Sequence, residues 1–255
     1  IVEKFDRIHL RTAQYQYAKY LESTADFKQA IKYYELSKTH TTEVPRMLFE
    51  NNQIKTLQQY VELHKQEIEI VKWWAQYCEG NRIHDEALRY YEIAGDHLSR
   101  VRILCYKDKI KTAADIVANT NNAAASLHLA RYAETKNKHN EAIHFYTLAK
   151  SYWNAIRIAK EKNAHQQIMN LALQSTPDVI LDAAAYFEEQ QMLDKAVLLY
   201  QKGGNISKAI DVCFKAELFE VLAQIADNLG KDATPEVLHK CATFLVQHGK
   251  FDKAV

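Results

Sequence analysis

Proline and glycine are scarce in this 255-residue chain, with three of the first and six of the second. No stretch rich in Ser, Gly or Pro offers a flexible linker on which to divide it. The length exceeds the usual limit of one compact core, so the chain folds either as two domains or as one elongated array, and the helix-forming composition favours the array. A surplus of one charge is missing too. Thirty-three Lys and Arg stand against 32 Asp and Glu, a formal +1, with the signs interspersed. Nucleic acid is therefore not an expected partner, because phosphate binding needs a concentrated basic footprint. Apolar runs stay far below the roughly 18 residues that suggest a membrane span, and no signal-peptide pattern opens the chain. Cys78, Cys105, Cys213 and Cys241 form no CxxC pair. Each falls among apolar neighbours on a helical pattern and reads as a buried free thiol in a reducing compartment.

Catalytic chemistry is equally thin. The phosphate-cradling glycine loops, the nucleophile elbow and the paired-histidine zinc motif are all missing. The 11 histidines include His139 and His144, five apart, but none has a second ligand three or four residues away on one helical face, so no metal is expected. Glu188 and Glu189 are adjacent, and adjacent residues on a helix diverge by about a hundred degrees. They cannot share a substrate. We expect no enzyme activity, no cofactor and no small-molecule substrate.

What the chain has in abundance is one phrase. It reads DEALRYYEIAGD at 85–96, FKQAIKYYELSK at 27–38, NEAIHFYTLAKS at 140–151, DKAVLLYQKGGN at 194–205 and, cut short, FDKAV at 251–255. The alanine of each phrase (Ala30, Ala87, Ala142, Ala196, Ala254) has another alanine twelve residues before it: Ala18, Ala75, Ala130, Ala184 and Ala242. Four residues after the second alanine comes Tyr34, Tyr91, Tyr146 or Tyr200, and three further on a small residue. Small residues where helices cross, with an aromatic one turn away, are what stacked helical hairpins require. Equivalent alanines lie 57, 55, 54 and 58 residues apart, too far for one hairpin and right for two. The second hairpin shows in NQIKTLQQYV (52–61) and DKIKTAADIV (108–117), and more loosely at 163–172 and 216–226. The pattern predicts an all-α fold: a right-handed α-solenoid of shortened tetratricopeptide-like helical hairpins, about nine of them at roughly 28 residues each. Pro45, Pro177 and Pro235 are expected at hairpin boundaries, Thr176 and Thr234 as N-caps, and Gly203-Gly204 as a C-cap.

One charged constellation recurs. Four residues after the first alanine stand Glu22, Glu79, Glu134 and Glu188, with Val246 breaking the run. Each sits near the C-terminal end of its helix, where the dipole disfavours negative charge. Lining the concave side of the array, they are candidate partner-binding residues for a basic helix. The bland alternative is solvated or locally paired carboxylates.

Several phrases go beyond a bare repeat. THTTEVPRMLFEN (39–51), WWAQYCEG (73–80), EALRYYEIAGDHLSRVRILC (86–105), AIHFYTLAKSYWNAIRIAKE (142–161) and YFEEQQMLDKAVLLYQKGGNISKAID (186–211) resemble the tetratricopeptide region of the intraflagellar transport protein one-forty family. Members of that family are subunits of intraflagellar transport complex A. The similarity runs from about Asp6 to Val255. It implies that residues 1–255 are a single solenoid segment internal to a longer chain, with β-propellers before it and further repeats after it. It implies a non-catalytic scaffold whose partners are the other complex A subunits, acting in retrograde ciliary transport and in ciliary entry of membrane proteins. The implied location is cytoplasmic, in the cilium or flagellum and its basal body. The alternative is a peptide-binding or vesicle-coat-type solenoid adaptor. A carboxylate clamp of that kind needs Lys and Arg where the glutamates stand.

Overall fold

The computed structural model describes residues 9–228 and, beyond them, Pro235, His239, 241–243, Val246 and Gly249. Every regular element among the described residues is a helix, so the fold is the all-helical solenoid of tetratricopeptide-like hairpins that the repeat predicts. The chain divides into two compact units, residues 1–125 and 126–255.

A four-helix module repeats through the chain. Long first helices open each module: α1 (Leu10–Ser23), α5 (Ile68–Gly80), α9 (Ala123–Thr135) and α13 (Pro177–Glu189). The quoted phrase supplies the second helices, α2 (Phe27–Ser37), α6 (His84–Ile93), α10 (His139–Leu148) and α14 (Leu193–Lys202). Third helices follow as α3 (His40–Glu50), α7 (His97–Tyr106), α11 (Tyr152–Glu161) and α15 (Ile206–Lys215), and fourth helices as α4 (Ile54–Leu63), α8 (Ile110–Thr120), α12 (His165–Ala172) and α16 (Phe219–Asn228). The second hairpin of each module thus lies where the weaker sequence traces placed it. The ninth hairpin, with Ala254, falls largely outside the described residues, and Ala242 is half-buried.

Each helix buries one stripe. In α5 that stripe is Ile70, Val71, Trp74, Ala75 and Cys78, the spacing of an amphipathic helix packed on one side. Ala18, Ala30, Ala75, Ala87, Ala130, Ala142, Ala184 and Ala196 are all 0% exposed. Tyr34, Tyr91, Tyr146 and Tyr200 are buried beside them. The four cysteines are free and buried, and burial pushes the thiols of Cys78, Cys105 and Cys213 up to about 11.

The connections repeat as faithfully as the helices. Outside the links 64–67 and 173–176, one residue in each takes the left-handed conformation, among them Ala25, Arg82, Asn137 and Gln191 after the first helices. The next residue then donates its N–H five residues back, as Ile83 does to Cys78 (2.8 Å) and Met192 to Phe187 (2.9 Å). This is the Schellman closure, which satisfies the orphan carbonyls of a helix end. Asp26, Asp96 and Asn205 follow such a closure and cap the next helix with their side chains.

Of the local expectations, that for Pro45 needs correction, and those for Thr176 and Gly203-Gly204 hold with added detail. Pro45 lies inside α3, not at its edge, and is buried. At the sixth position of the helix it forgoes one amide bond and crowds the preceding turn, while its buried ring adds apolar area to the core. Pro177 does open α13, but the Thr176 side chain makes no capping bond. Gly204 takes the left-handed cap at φ +83, whereas Gly203 is needed for space: a Cβ there would lie 2.7 Å from Leu181 Cδ2. Thr234 lies outside the described residues.

Candidate functional site

The recurring glutamates sit in a recurring side-chain triad that joins three successive helices. The tyrosine twelve residues on, in the second helix, donates its hydroxyl to the glutamate. Tyr34 reaches Glu22 at 2.5 Å, Tyr91 reaches Glu79 at 2.7 Å, Tyr146 reaches Glu134 at 2.7 Å and Tyr200 reaches Glu188 at 2.8 Å. From the third helix a cation closes on the same carboxylate. Arg46 lies 2.8 Å from Glu22, Arg102 2.6 Å from Glu79, Arg157 2.6 Å from Glu134 and Lys208 3.3 Å from Glu188. Two triads belong to the first unit and two to the second.

The electrostatics follow from burial. Side-chain exposure of the four glutamates is 15%, 25%, 30% and 20% in chain order. Burial pushes the carboxyls of Glu22 and Glu134 up, but the bonds from the arginine and the tyrosine outweigh it and hold both below the usual carboxylate value. The phenols move the opposite way. Burial and the glutamate bond push Tyr91, Tyr146 and Tyr200 up to about 12. A carboxylate between a phenol and a guanidinium receives charge-assisted bonds from both sides, the stronger class of protein hydrogen bond. Each triad therefore fixes the second helix against the first, and the third helix against both.

Tyrosines also tie the second and fourth helices. Tyr60 in α4 donates to Glu35 in α2 at 3.3 Å, and Tyr90 in α6 donates to Glu62 in α4. The sequence pattern marked Glu22, Glu79, Glu134 and Glu188 and marked the tyrosines, but not their cations. Arg102 and Arg157 each follow their glutamate by 23 residues, a recurrence visible in the sequence once the glutamates are aligned.

Among the described residues no group of three or more His, Cys, Asp or Glu side chains could hold a metal ion, and no helix is long and apolar enough to cross a membrane. A recess of about 780 Å³ is lined by Lys55, Gln58, Gln59, Glu62 and Leu63. It pairs no nucleophile with a base. What the geometry can do chemically is hold helices at fixed angles and present their outer faces. Among families of known proteins, the one described as the tetratricopeptide (TPR) domain of intraflagellar transport proteins one-forty and one-seventy-two matches residues 1–255.

Proposed function

Because the chain belongs to this tetratricopeptide-domain family of intraflagellar transport proteins one-forty and one-seventy-two, we propose that it is a docking arm of intraflagellar transport complex A. A helical-repeat domain of this family is a protein-interaction scaffold. In this reading the segment lies within a longer polypeptide, binds the other complex A subunits, and works in the cilium or flagellum and at the basal body. Its contribution is to retrograde transport and to the entry of membrane proteins. The observation that carries the reading is the family match across the whole chain, together with a fold in which each module is pinned to itself by the tyrosine, glutamate and cation triad. A module pinned in this way presents its outer faces without first having to order them.

The pairing of Glu22, Glu79, Glu134 and Glu188 inside the array weighs toward a structural role and away from a charged track for a basic partner helix. Changing all four to Gln separates the two. A track predicts weaker recovery of complex A subunits in pull-downs, more so at low salt, with the melting temperature unchanged. The structural reading predicts a lower melting temperature, with recovery at permissive temperature preserved at both salt levels. The docking role itself is tested by crosslinking mass spectrometry on the assembled complex. Lysines of this segment should link to neighbouring complex A subunits, and an assembly in which they link to none would overturn the proposal.

A further inference from the structure

Two repeat positions lie on the side of the first hairpin away from its cation. The residue before the first alanine is Trp74, Leu129 or Ala183 in α5, α9 and α13, and these are 3%, 0% and 0% exposed. Three residues after the second alanine come Tyr90, Phe145 and Leu199, exposed by 2%, 6% and 0%. In α1 and α2 the same positions hold Tyr17, 46% exposed, and Tyr33, half-buried. Tyr20 on the same face is 61% exposed.

These exposed rings are arranged like their buried counterparts. Tyr17 meets Tyr33 edge-on, 4.7 Å between centroids at 82°, and stacks on Tyr20 at 6.2 Å and 21°. Trp74 meets Tyr90 edge-on, 6.3 Å at 80°, and stacks on Tyr77 at 5.0 Å and 26°. What differs is the cover. Over the second set lies the preceding hairpin, α3 and α4, which brings Phe49 to 5.8 Å from Tyr77 and the Glu62 carboxylate to the Tyr90 hydroxyl. The Tyr33 hydroxyl has no acceptor among the described residues. Exposed, contiguous aromatic faces of this kind mark contact surfaces.

We propose that Tyr17, Tyr20 and Tyr33 form a stacking surface for one more two-helix hairpin of the same polypeptide, placed directly before α1. Its first helix lays an apolar side chain on Tyr20, as Phe49 does on Tyr77. Its second helix offers a carboxylate to Tyr33, as Glu62 does to Tyr90. The occupant is in cis because the equivalent hairpin, α3 and α4, reaches α5 through only the short connection 64–67. The inference rests on the reading of this segment as part of a longer chain, but not on its docking role.

The test is thiol labelling of the purified full-length polypeptide, read site by site by mass spectrometry, with Tyr20→Cys compared with Tyr106→Cys, an open position at 77% exposure. We expect Tyr20→Cys to react at least about tenfold more slowly than Tyr106→Cys under native conditions, and equally fast in denaturant. Tyr17→Cys serves as a second site should Tyr20→Cys fail to fold. Equal native rates overturn the proposal. So does protection that disappears on dilution, which would assign the surface to a second copy, and so does protection that appears only when another subunit is added. Because no partner is present in the main measurement, its failure leaves the docking role standing.

Discussion

The Tyr91 hydroxyl, carried by α6, donates to Glu79 at the end of α5 across twelve residues of chain and 2.7 Å of space. Arg102 meets the same carboxylate from α7, so one glutamate is the common partner of three helices. A residue so placed near the C-terminal end of its helix opposes the dipole there. The two bonds it receives, from Tyr91 and Arg102, act against that cost.

Glu134→Gln should therefore destabilise the chain by about 1–3 kcal/mol, because it weakens charge-assisted bonds at a largely covered site. Glu141→Gln removes one end of an open pair with Lys138, both side chains 45% exposed, and should cost under about 0.5 kcal/mol. Denaturant midpoints of the two variants give the comparison. Equal shifts would show that the triad contributes no more than a surface pair.

The raised phenols predict a loss of stability at high pH. An unfolded tyrosine ionises near about 10, while Tyr91, Tyr146 and Tyr200 are held near 12 in the fold. Their contribution is fully present below pH 10 and is lost as pH rises toward 12. Glu22 and Glu134 act in the other direction. Their lowered values make a contribution present above the unfolded value of 4.5 that fades as pH falls below it. Melting temperature against pH should fall at both ends, and Tyr146→Phe should blunt the alkaline fall and, because the lost hydroxyl also helps hold Glu134 low, part of the acid fall as well.

At the helix crossings, Ala87→Leu and Ala142→Leu insert three carbons where exposure is 0%. Each should cost about 1–3 kcal/mol by overpacking, read as a drop in melting temperature. Ala118→Leu, on the exposed face of α8, should leave it nearly unchanged.

Left-handed backbone at a side-chain-bearing residue offers a gain. Arg82 holds φ +62 and is exposed, so Arg82→Gly removes a strain of about 1 kcal/mol and gives part of it back as unfolded-chain entropy. A rise of about 0.5 kcal/mol in unfolding free energy is expected. A fall would mean that the arginine side chain makes a contact outweighing the strain.

Gly203 and Gly204 should fail for different reasons. Gly203→Ala presses on Leu181 and should be partly rescued by Leu181→Val, which opens space. Gly204→Ala is strained by its φ of +83 and should gain nothing from Leu181→Val. Each single change should cost about 1–2 kcal/mol, and the double-variant cycle distinguishes them.

The hairpins were legible because close crossings admit only alanine, so the spacing of Ala75 and Ala87 carries geometry in residue identity. The glutamates and tyrosines were legible as two separate recurrences. Their pairing was not, because a contact between α5 and α6 depends on how the connection folds back. The connections themselves were hard to read: the left-handed position is Ala25, Arg82, Asn137 and Gln191 in successive modules, with no shared chemistry. Pro45 misled for a related reason, since a proline restricts backbone without saying whether its helix starts there or a turn earlier.

Those left-handed connections also determine where the chain can change length. The links 24–26, 81–83, 136–138 and 190–192 between first and second helices are all the same length, whereas the links into α5, α9 and α13 are 64–67, 121–122 and 173–176. Adding one residue within a helix turns everything after it by about 100°, which would swing Tyr91 off Glu79 or Arg102 out of reach. Insertions and deletions are thus best accommodated at the joints between modules, where no triad spans the gap. The uneven spacing of otherwise equivalent alanines accumulates mainly there and in the fourth helices, so the first hairpin of each module keeps its twelve-residue phase while its distance along the chain to the next one drifts.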